Sequence, residues 1–367
     1  MAHENITQRK TFKYRLFPSR AQTMHMNETL ALLCELYNAG LQERRDAYRL
    51  EWKSIRYIEQ ANQLPEIKEI RPELKEIHSQ VLQDVLRRLD KAFQNFFRRV
   101  KERNGKAGFP RFRSRLRYDS FTYAQSGFTL KDEKLCLSKI GNVKIKLHRP
   151  IEGKIKTLTI TRSATGKWYA CFSVEVEPQL LPANDRSIGI DVGLAHFCSL
   201  SNGEQVANPR FFPTDEKALA KAQRRERRKA TRRIHERIAN RRRNFAHQLS
   251  HALVSMFGLI AFESLNIKGM VKNHCLAKSI SDAAWNQLIQ CTTYKAEYAG
   301  REVRMVDPRG TSQRCSACGA IVVKDLSQRI HECSCGLRLD RDHNAALNIL
   351  ALGLQSVSLR VKEAPSF

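Results

Sequence analysis

The chain is short of acid. Against 64 Lys and Arg it carries 37 Asp and Glu, giving a formal net charge of +27 and a pI near 10.0. Such a surplus excludes a self-neutralised surface. It predicts a polyanionic partner, bound with an affinity that falls steeply with salt. Long apolar runs are also missing. The longest, Ala252 to Phe262, is interrupted by Ser255 and Gly258, and a membrane span needs roughly 20 apolar residues. No membrane partner is expected. The opening Met1-Ala-His-Glu-Asn has no apolar core, so no secretory leader is expected and the localisation reads as cytoplasmic. In that compartment the ten cysteines are no argument for disulfides. Cys34, Cys136, Cys171, Cys198, Cys275 and Cys291 are scattered among apolar neighbours and read as small core side chains.

What is present suits a globular protein. Hydrophobic residues make up 42% of the 367 positions, enough for two or three domains with real cores. Residues Thr11 to Phe17 read as a strand stopped by Pro18-Ser19. Leu30, Leu33, Cys34, Tyr37 and Leu41 then mark one face of a helix. A second long helix carries Val81, Val85, Leu89, Phe93, Phe96 and Val100, and its aromatic stripe of Phe93, Phe96 and Phe97 reads as core. At Asn104-Gly105 the composition changes. Gly108 to Tyr118 interleaves aromatic and basic residues, including Arg111 and Arg113, in a loop suited to stacking on bases and neutralising phosphate. Runs at Val143–Leu147, Lys156–Thr161 and Trp168–Val176 alternate as strands between Gly141, Gly153 and Gly166. They predict a small barrel, which the first strand could complete, making the helical block an insertion within it.

A third unit begins after 182. Arg186 to Leu200 reads as strand, turn and strand, and Leu259 to Leu265 as another short buried strand. Between them a single helix is expected from about Asp215 to Gly258, very basic in its first half, with Arg224, Arg225, Arg228 and Arg232 among its arginines. Guanidinium groups at that density repel one another without counterions and suit a phosphate ribbon. Trp285 to Tyr298 reads as helix and Glu302 to Val306 as strand.

Three acids stand out. Asp191 interrupts the apolar strand Ile188-Gly-Ile-Asp-Val, Glu263 ends Ile260-Ala-Phe-Glu, and Asp342 begins a helix. An acid in a buried strand is costly unless paired or metal-bound. Three of them on successive elements suggest one site, as in RNase H-like folds, where two divalent ions promote phosphodiester cleavage. Asp340 competes with Asp342. Asp342 is preferred because it begins the helix that carries Asn344-Ala-Ala, whose small residues allow close packing, and Asp340 would then cap the helix or pair with Arg341 or a neighbour. His196, His251 and His343 read as surface or capping residues.

The four remaining cysteines are grouped. Cys315-x-x-Cys318, fourteen residues, then Cys333-x-Cys335, with Gly319 and Gly336 after each pair, has the spacing of a zinc ribbon. The second pair is tighter than usual, and His331 is the spare ligand if Cys333 cannot reach. Four thiolates would hold one structural Zn2+ with no open position for water.

At Gly189-Ile-Asp191-Val-Gly, Phe262-Glu263-Ser-Leu, Asp307-Pro-Arg-Gly-Thr-Ser-Gln-Arg-Cys315 and Asp340-Arg-Asp342-x-Asn-Ala-Ala-x-Asn-Ile, the sequence resembles the TnpB family, relatives of the type V CRISPR nucleases. Lys13-Tyr-Arg-Leu-Phe-Pro-Ser and Tyr37-Asn38 extend the resemblance to nearly the whole chain. It implies an RNA-guided DNA endonuclease of a transposable element, in a prokaryotic cell and associated with the nucleoid. A guide RNA from the transposon end would pair with double-stranded target DNA beside a short flanking motif, one RNA per protein monomer. One magnesium-dependent RuvC-like site with two Mg2+ ions, held by Asp191, Glu263 and Asp342, would cut both strands. The zinc ligands would be Cys315, Cys318, Cys333 and Cys335. The fold implied is α+β and multidomain. A β-barrel wedge domain spans 1–18 and 104–182, with a helical recognition domain at 19–103. An RNase H-like (RuvC) α/β nuclease domain spans 183–306 and 337–367, with the zinc ribbon inserted at 307–336. Ser79 and Gln80, heading the second long helix, are candidate readers of the flanking motif. An RNA-guided repressor without cleavage and a transposase working without a guide are the alternatives.

Overall fold

The computed structural model describes residues 7–102, 107–325 and 328–362. Met1 to Asn5 and the composition change at Asn104-Gly105 fall outside them. The chain forms two compact units that meet in sequence at Glu177 and Pro178.

The first unit opens with β1 (Gln8–Phe17), followed by α1 (Arg20–Glu51), α2 (Tyr57–Asn62), α3 (Leu64–Ile70), a 3-10 turn (Pro72–Glu76) and α4 (Ser79–Lys101). Six strands follow: β2 (Ser120–Tyr123), β3 (Phe128–Lys131), β4 (Lys134–Leu137), β5 (Gly141–Lys146), β6 (Lys154–Arg162) and β7 (Trp168–Val176). They form one antiparallel sheet with β1, in the order β2-β6-β7-β1-β5-β4-β3. The helices thus lie, in sequence, between two strands of one sheet. Period two decides the faces: Phe12, Tyr14 and Leu16 of β1 and Trp168, Ala170, Phe172, Val174 and Val176 of β7 are buried. Edge-on ring contacts run from Tyr14 through Phe172 and Phe128 to Tyr123. Tyr123 and Phe128 lie on β2 and β3, at opposite ends of the strand order, yet their centroids are 6.3 Å apart. The sheet therefore curls nearly into a barrel around an aromatic core.

Ser19 starts α1 with a capping box. Its hydroxyl accepts from the Gln22 amide and its own amide donates to the Gln22 side chain. Leu30, Leu33, Cys34, Tyr37 and Leu41 are buried, as are Val81, Leu82, Val85, Leu86 and Leu89 of α4. The expected core stripe stops there. Phe93 and Phe96 are half-exposed and Phe97 is 58% exposed. They pack on one another and on Phe109, and with Arg44 and Arg45 they line a cleft of about 900 Å³. Facing them, α1 offers Arg44, Arg45, Tyr48 and Arg49 rather than a continuous apolar face.

The second unit holds β8 (Ser187–Val192), β9 (His196–Leu200), β10 (Gln205–Ala207), α5 (Phe211–Arg224), α6 (Arg228–Met256), β11 (Leu259–Glu263), α7 (Ile267–Met270), α8 (His274–Ala283), α9 (Trp285–Ala299), β12 (Glu302–Val306), β13 (Ile330–Glu332), β14 (Arg338–Asp340) and α10 (Arg341–Lys362). Its mixed sheet runs β10-β9-β8-β11-β12, antiparallel through β10, β9 and β8, and parallel through β8, β11 and β12. The single helix expected from Asp215 to Gly258 is instead two. They are broken at 225–227, where Glu226 takes a left-handed φ of 50°. Folding back buries Leu219 and Ala222 of α5 and Ile238 of α6. It also lets Asp215 pair with Arg237 and Arg241. Part of the basic run is thus neutralised within the protein.

Alternation also sorts the two faces of the mixed sheet. Ile188, Ile190, Ile260 and Phe262 pack with Leu253 of α6 and with Trp285, Leu288 and Ala296 of α9. Leu259 and Ala261 pack with Val306 and with Ile349 of α10 on the other face. Gly189 and Asp191, which alternate with Ile188 and Ile190, and Glu263, two beyond Ala261, therefore lie on the α10 side.

Candidate active site

The sheet register brings two of the three acids together. Ile190 and Phe262 are partners on the parallel strands β8 and β11, and Asp191 and Glu263 are the next residue of each. They share a face, on strands roughly 4.8 Å apart. Both stand at carboxyl ends of parallel strands, where open α/β sheets form their ligand crevices.

The third acid arrives on α10, and a glycine lets it in. A Cβ at Gly189 would stand 2.2 Å from the Ala346 carbonyl oxygen and 2.6 Å from the Leu350 amide nitrogen. Only a hydrogen fits between strand and helix. Gly353 repeats the device, since its Cβ would meet that of Ala261 at 2.8 Å. With α10 seated so, Asp342 in its first turn reaches the end of β8. Its Oδ2 lies 3.8 Å from the place a Gly193 Cβ would take.

Asp340 and Asp342 have different roles. Asp340 accepts from the amides of Asp342 at 2.9 Å and His343 at 3.1 Å, the pattern of an N-cap. Asp342 is left to face the site. Its carboxylate is 13% exposed and accepts from Arg341 at 3.0 Å, with Arg329 3.9 Å away.

Burial, then the nearby charges of Glu263 and Asp342, push the Asp191 carboxyl well above the usual carboxylate range, against the pull of Arg341. Glu263, 8% exposed, is raised by burial and drawn back by a hydrogen bond from Thr311. Repelling, largely buried carboxylates fit a hard divalent cation with oxygen ligands. Their spacing is wider than that of a single-ion cage. Among the described residues, the cysteines are the group of metal-ligating side chains whose ligand atoms all lie within 4.8 Å of one another.

That group is Cys315, Cys318, Cys333 and Cys335. Sγ–Sγ distances are 3.7 Å for Cys315–Cys335 and 3.6 Å for Cys318–Cys333, close to the edge of a tetrahedron with Zn–S bonds of about 2.3 Å. The tight Cys-x-Cys pair reaches without help. His331 is buried beside it, contacting Lys324. Burial raises the Cys315 thiol, but the amides of Cys318 and Ala317 outweigh it and leave it at about 7. The Cys335 amide helps bring Cys333 down to about 6. Against the pull of the Leu337 amide, the neighbouring sulfurs of Cys318 and Cys333 push Cys335 up to about 12, so a zinc ion, which binds thiolates, would displace its proton.

Two residues that the sequence reading gave no role hold this region together. Asn344 and Asn348, four apart on α10 and buried, donate to the carbonyls of Thr311 and Arg314, and Asn344 accepts from the Ser316 amide. Their signal was present: two amides within an apolar helical stretch need buried partners.

The nucleic-acid candidates fall outside this cluster. Arg111 and Arg113 are exposed. The main chain at Arg113 is pinned by Asn38, which exchanges hydrogen bonds with it at 2.8 and 2.9 Å. Arg224, Arg225, Arg228 and Arg232 are exposed around the α5–α6 turn. Ser79 is exposed and accepts from Lys68. Gln80 uses its side-chain oxygen to hold the amides of Gln125 and Ser126, so its amide nitrogen is the group it can offer a base.

Among the described residues, no helix is long and apolar enough to cross a membrane. Three family models match. A helix-turn-helix model covers residues 8–53, which here form one strand and one long helix. A model described as "Probable transposase" covers 171–274, and a Cas12f1-like TNB domain model covers 285–349. A "Putative RNA-guided DNA endonuclease" of Streptomyces pristinaespiralis is 35% identical over 94% of this chain and 90% of its own length. "Putative RNA-guided DNA endonuclease InsQ" of Escherichia coli (strain K12) is 31% identical over 94% and 92%. "TnpB-like protein L770" of Acanthamoeba polyphaga mimivirus is 30% identical over 58% and 46%. Matched to such relatives along nearly its whole length, the chain belongs to the TnpB family.

Proposed function

We propose that this protein is an RNA-guided DNA endonuclease of a transposable element, cutting with one RNase H-like (RuvC-like) site built from Asp191, Glu263 and Asp342. The observation that carries the reading is the meeting of these acids. Two end adjacent parallel strands on one face, and the third is brought to them by a helix that a glycine admits. The full-length likeness to relatives named RNA-guided DNA endonucleases supports the same activity.

Asp191, Glu263 and Asp342 would hold magnesium, which when bound supplies Lewis acidity and an activated water for phosphodiester hydrolysis. The chain's own part is preorganisation. Asp191, its carboxyl pushed up by burial and then by its acidic neighbours, would be kept ionised by a cation held there. Arg341 donates to Asp342 and holds its carboxylate in place. The four cysteines would hold one structural zinc ion. Residues 1–18 and 104–182 would serve as wedge domain and 19–103 as recognition domain. The nuclease domain would be 183–306 and 337–367, with the ribbon at 307–336. Arg111, Arg113, Arg224, Arg225, Arg228 and Arg232 would neutralise phosphates of guide and target, and Ser79 and Gln80 would read the flanking motif.

The test is a cleavage assay on the protein purified with RNA from its native locus. A duplex matching that RNA should be cut only with magnesium, and Asp191→Ala should bind it without cutting. Cutting by that variant at the parent rate would overturn the site.

A further inference from the structure

We infer that Thr311 is a positioning residue for Glu263, and that through it the segment leading into the cysteine cluster governs the acid site. This rests on the nuclease reading above. Thr311 is 4% exposed, between β12 and Cys315. Its hydroxyl lies within hydrogen-bonding reach of two acceptors, Oε1 of Glu263 and the carbonyl oxygen of Pro308, the latter at 3.0 Å. A hydroxyl has one proton and donates to one of them at a time. A threonine that only closed a turn would need Pro308 alone. The charge-assisted bond to the carboxylate is the stronger of the two, and it fixes Oε1 before any cation arrives.

Thr311 is itself held in place. Its carbonyl accepts from Asn348 at 2.8 Å, and Asn348 also donates to the Arg314 carbonyl at 2.7 Å. Asn344 donates to that same carbonyl at 2.8 Å and accepts from the Ser316 amide at 2.9 Å. Both asparagines stand on α10, the helix whose first turn carries Asp342. One helix thus carries one acid and grips the loop that orients another. Cys315, a ligand of the cysteine cluster, lies within the gripped stretch, so order in the cluster is transmitted to Glu263.

The test compares Thr311→Val and Thr311→Ser in the full chain with its guide RNA, beside Asp191→Ala. Two quantities are read: the magnesium midpoint of cleavage, and the manganese concentration at which thermal protection sets in without target DNA. Thr311→Val should raise both concentrations by about 10- to 100-fold, the usual loss when a ligand's supporting partner is removed. Thr311→Ser should restore both, and target binding should be unchanged in both variants. Each concentration reports the affinity of the folded chain, so a loss of stability alone moves neither. Unshifted concentrations in Thr311→Val, or no rescue by serine, overturn the inference while an inactive Asp191→Ala leaves the nuclease reading standing. Parent-level cutting by Asp191→Ala overturns both.

Discussion

The acid site and the cysteine cluster lie at the two ends of one gripped segment and are built in opposite ways. The cysteines come from one short stretch, are partly exposed, and converge through two local turns closed at Gly319 and Gly336. The acids come from two strands and a helix far apart in sequence, and they converge only because sheet register and helix docking bring them together. Soft thiolates gathered locally make a closed structural clip. Hard carboxylates gathered by tertiary folding keep a repulsion that a cation can relieve. Local convergence is robust, and the long-range kind is where activity is most easily lost.

The largest expected effect lies on the acid side. Asp191→Asn should slow cleavage by about 10³-fold or more, several kcal/mol of barrier, and leave target binding within about twofold in a gel-shift titration. A modest loss would put the acids on the same footing as their surroundings and break the comparison. On the other side, Cys315→Ser should release the zinc, seen as a fall from about one ion per chain by elemental analysis. It should lower the melting temperature by about 5–10 °C, as loss of a metal site does. If both metals and all activity vanish together, the two sites are less independent than their construction suggests, in the direction Thr311 predicts.

Gly189→Ala probes the seam between them. The new methyl would meet backbone atoms at 2.2 and 2.6 Å, which cannot turn aside as a side chain could. A cost of about 3 kcal/mol, the upper end of ordinary overpacking, should appear as a lower denaturant midpoint. Cleavage should fall further than stability, because Asp342 moves with α10. An alanine variant that cuts normally would show that the third acid need not be so closely docked.

The smallest effect is a gain. The Asp191 carboxyl is raised in the folded chain by burial and by its acidic neighbours. From the unfolded value, about 3.9, up to the raised folded value, the native state binds more protons than the unfolded one. Stability is therefore lost as pH rises through that window. Without divalent ions, Asp191→Asn should melt about 2–4 °C above the parent at pH 8. The gap should close toward pH 4. Added magnesium should lift the parent and not the variant. Equal melting curves at pH 8 would mean that the acids sit apart in solution.

How far the sequence could be read follows the same division. β7 matches its alternating run from Trp168 to Val176, and β11 ends on Glu263 as its apolar run predicted, because both patterns need only near neighbours. The short strands β2, β3, β4 and β10 carry too few alternating positions to stand out. The break at Glu226 was hidden because no glycine or proline marks it. The rings of half-exposed Phe93 and Phe96 and exposed Phe97 depart from a core reading for another reason: periodicity tells which face is apolar but not whether anything covers it. Asp340 and Asp342 were separable by the rule that the residue before a helix caps it, and their hydrogen bonds follow that rule.

By itself, then, the sequence pointed to a polyanionic partner through its charge, to the cysteine cluster through its spacing, and to three candidate acids, Asp191 and Glu263 through their place in apolar strands and Asp342 through its place at a helix start. All of these are properties of composition or of residues within a few positions of one another. Only the tertiary structure decided that Asp191 and Glu263 share a face, that α10 comes close enough to add Asp342, and that Thr311 and two buried asparagines tie Glu263 to the cysteine segment. Those are matters of register and of atomic clearance between distant stretches of chain, and no local pattern encodes a distance across a sheet.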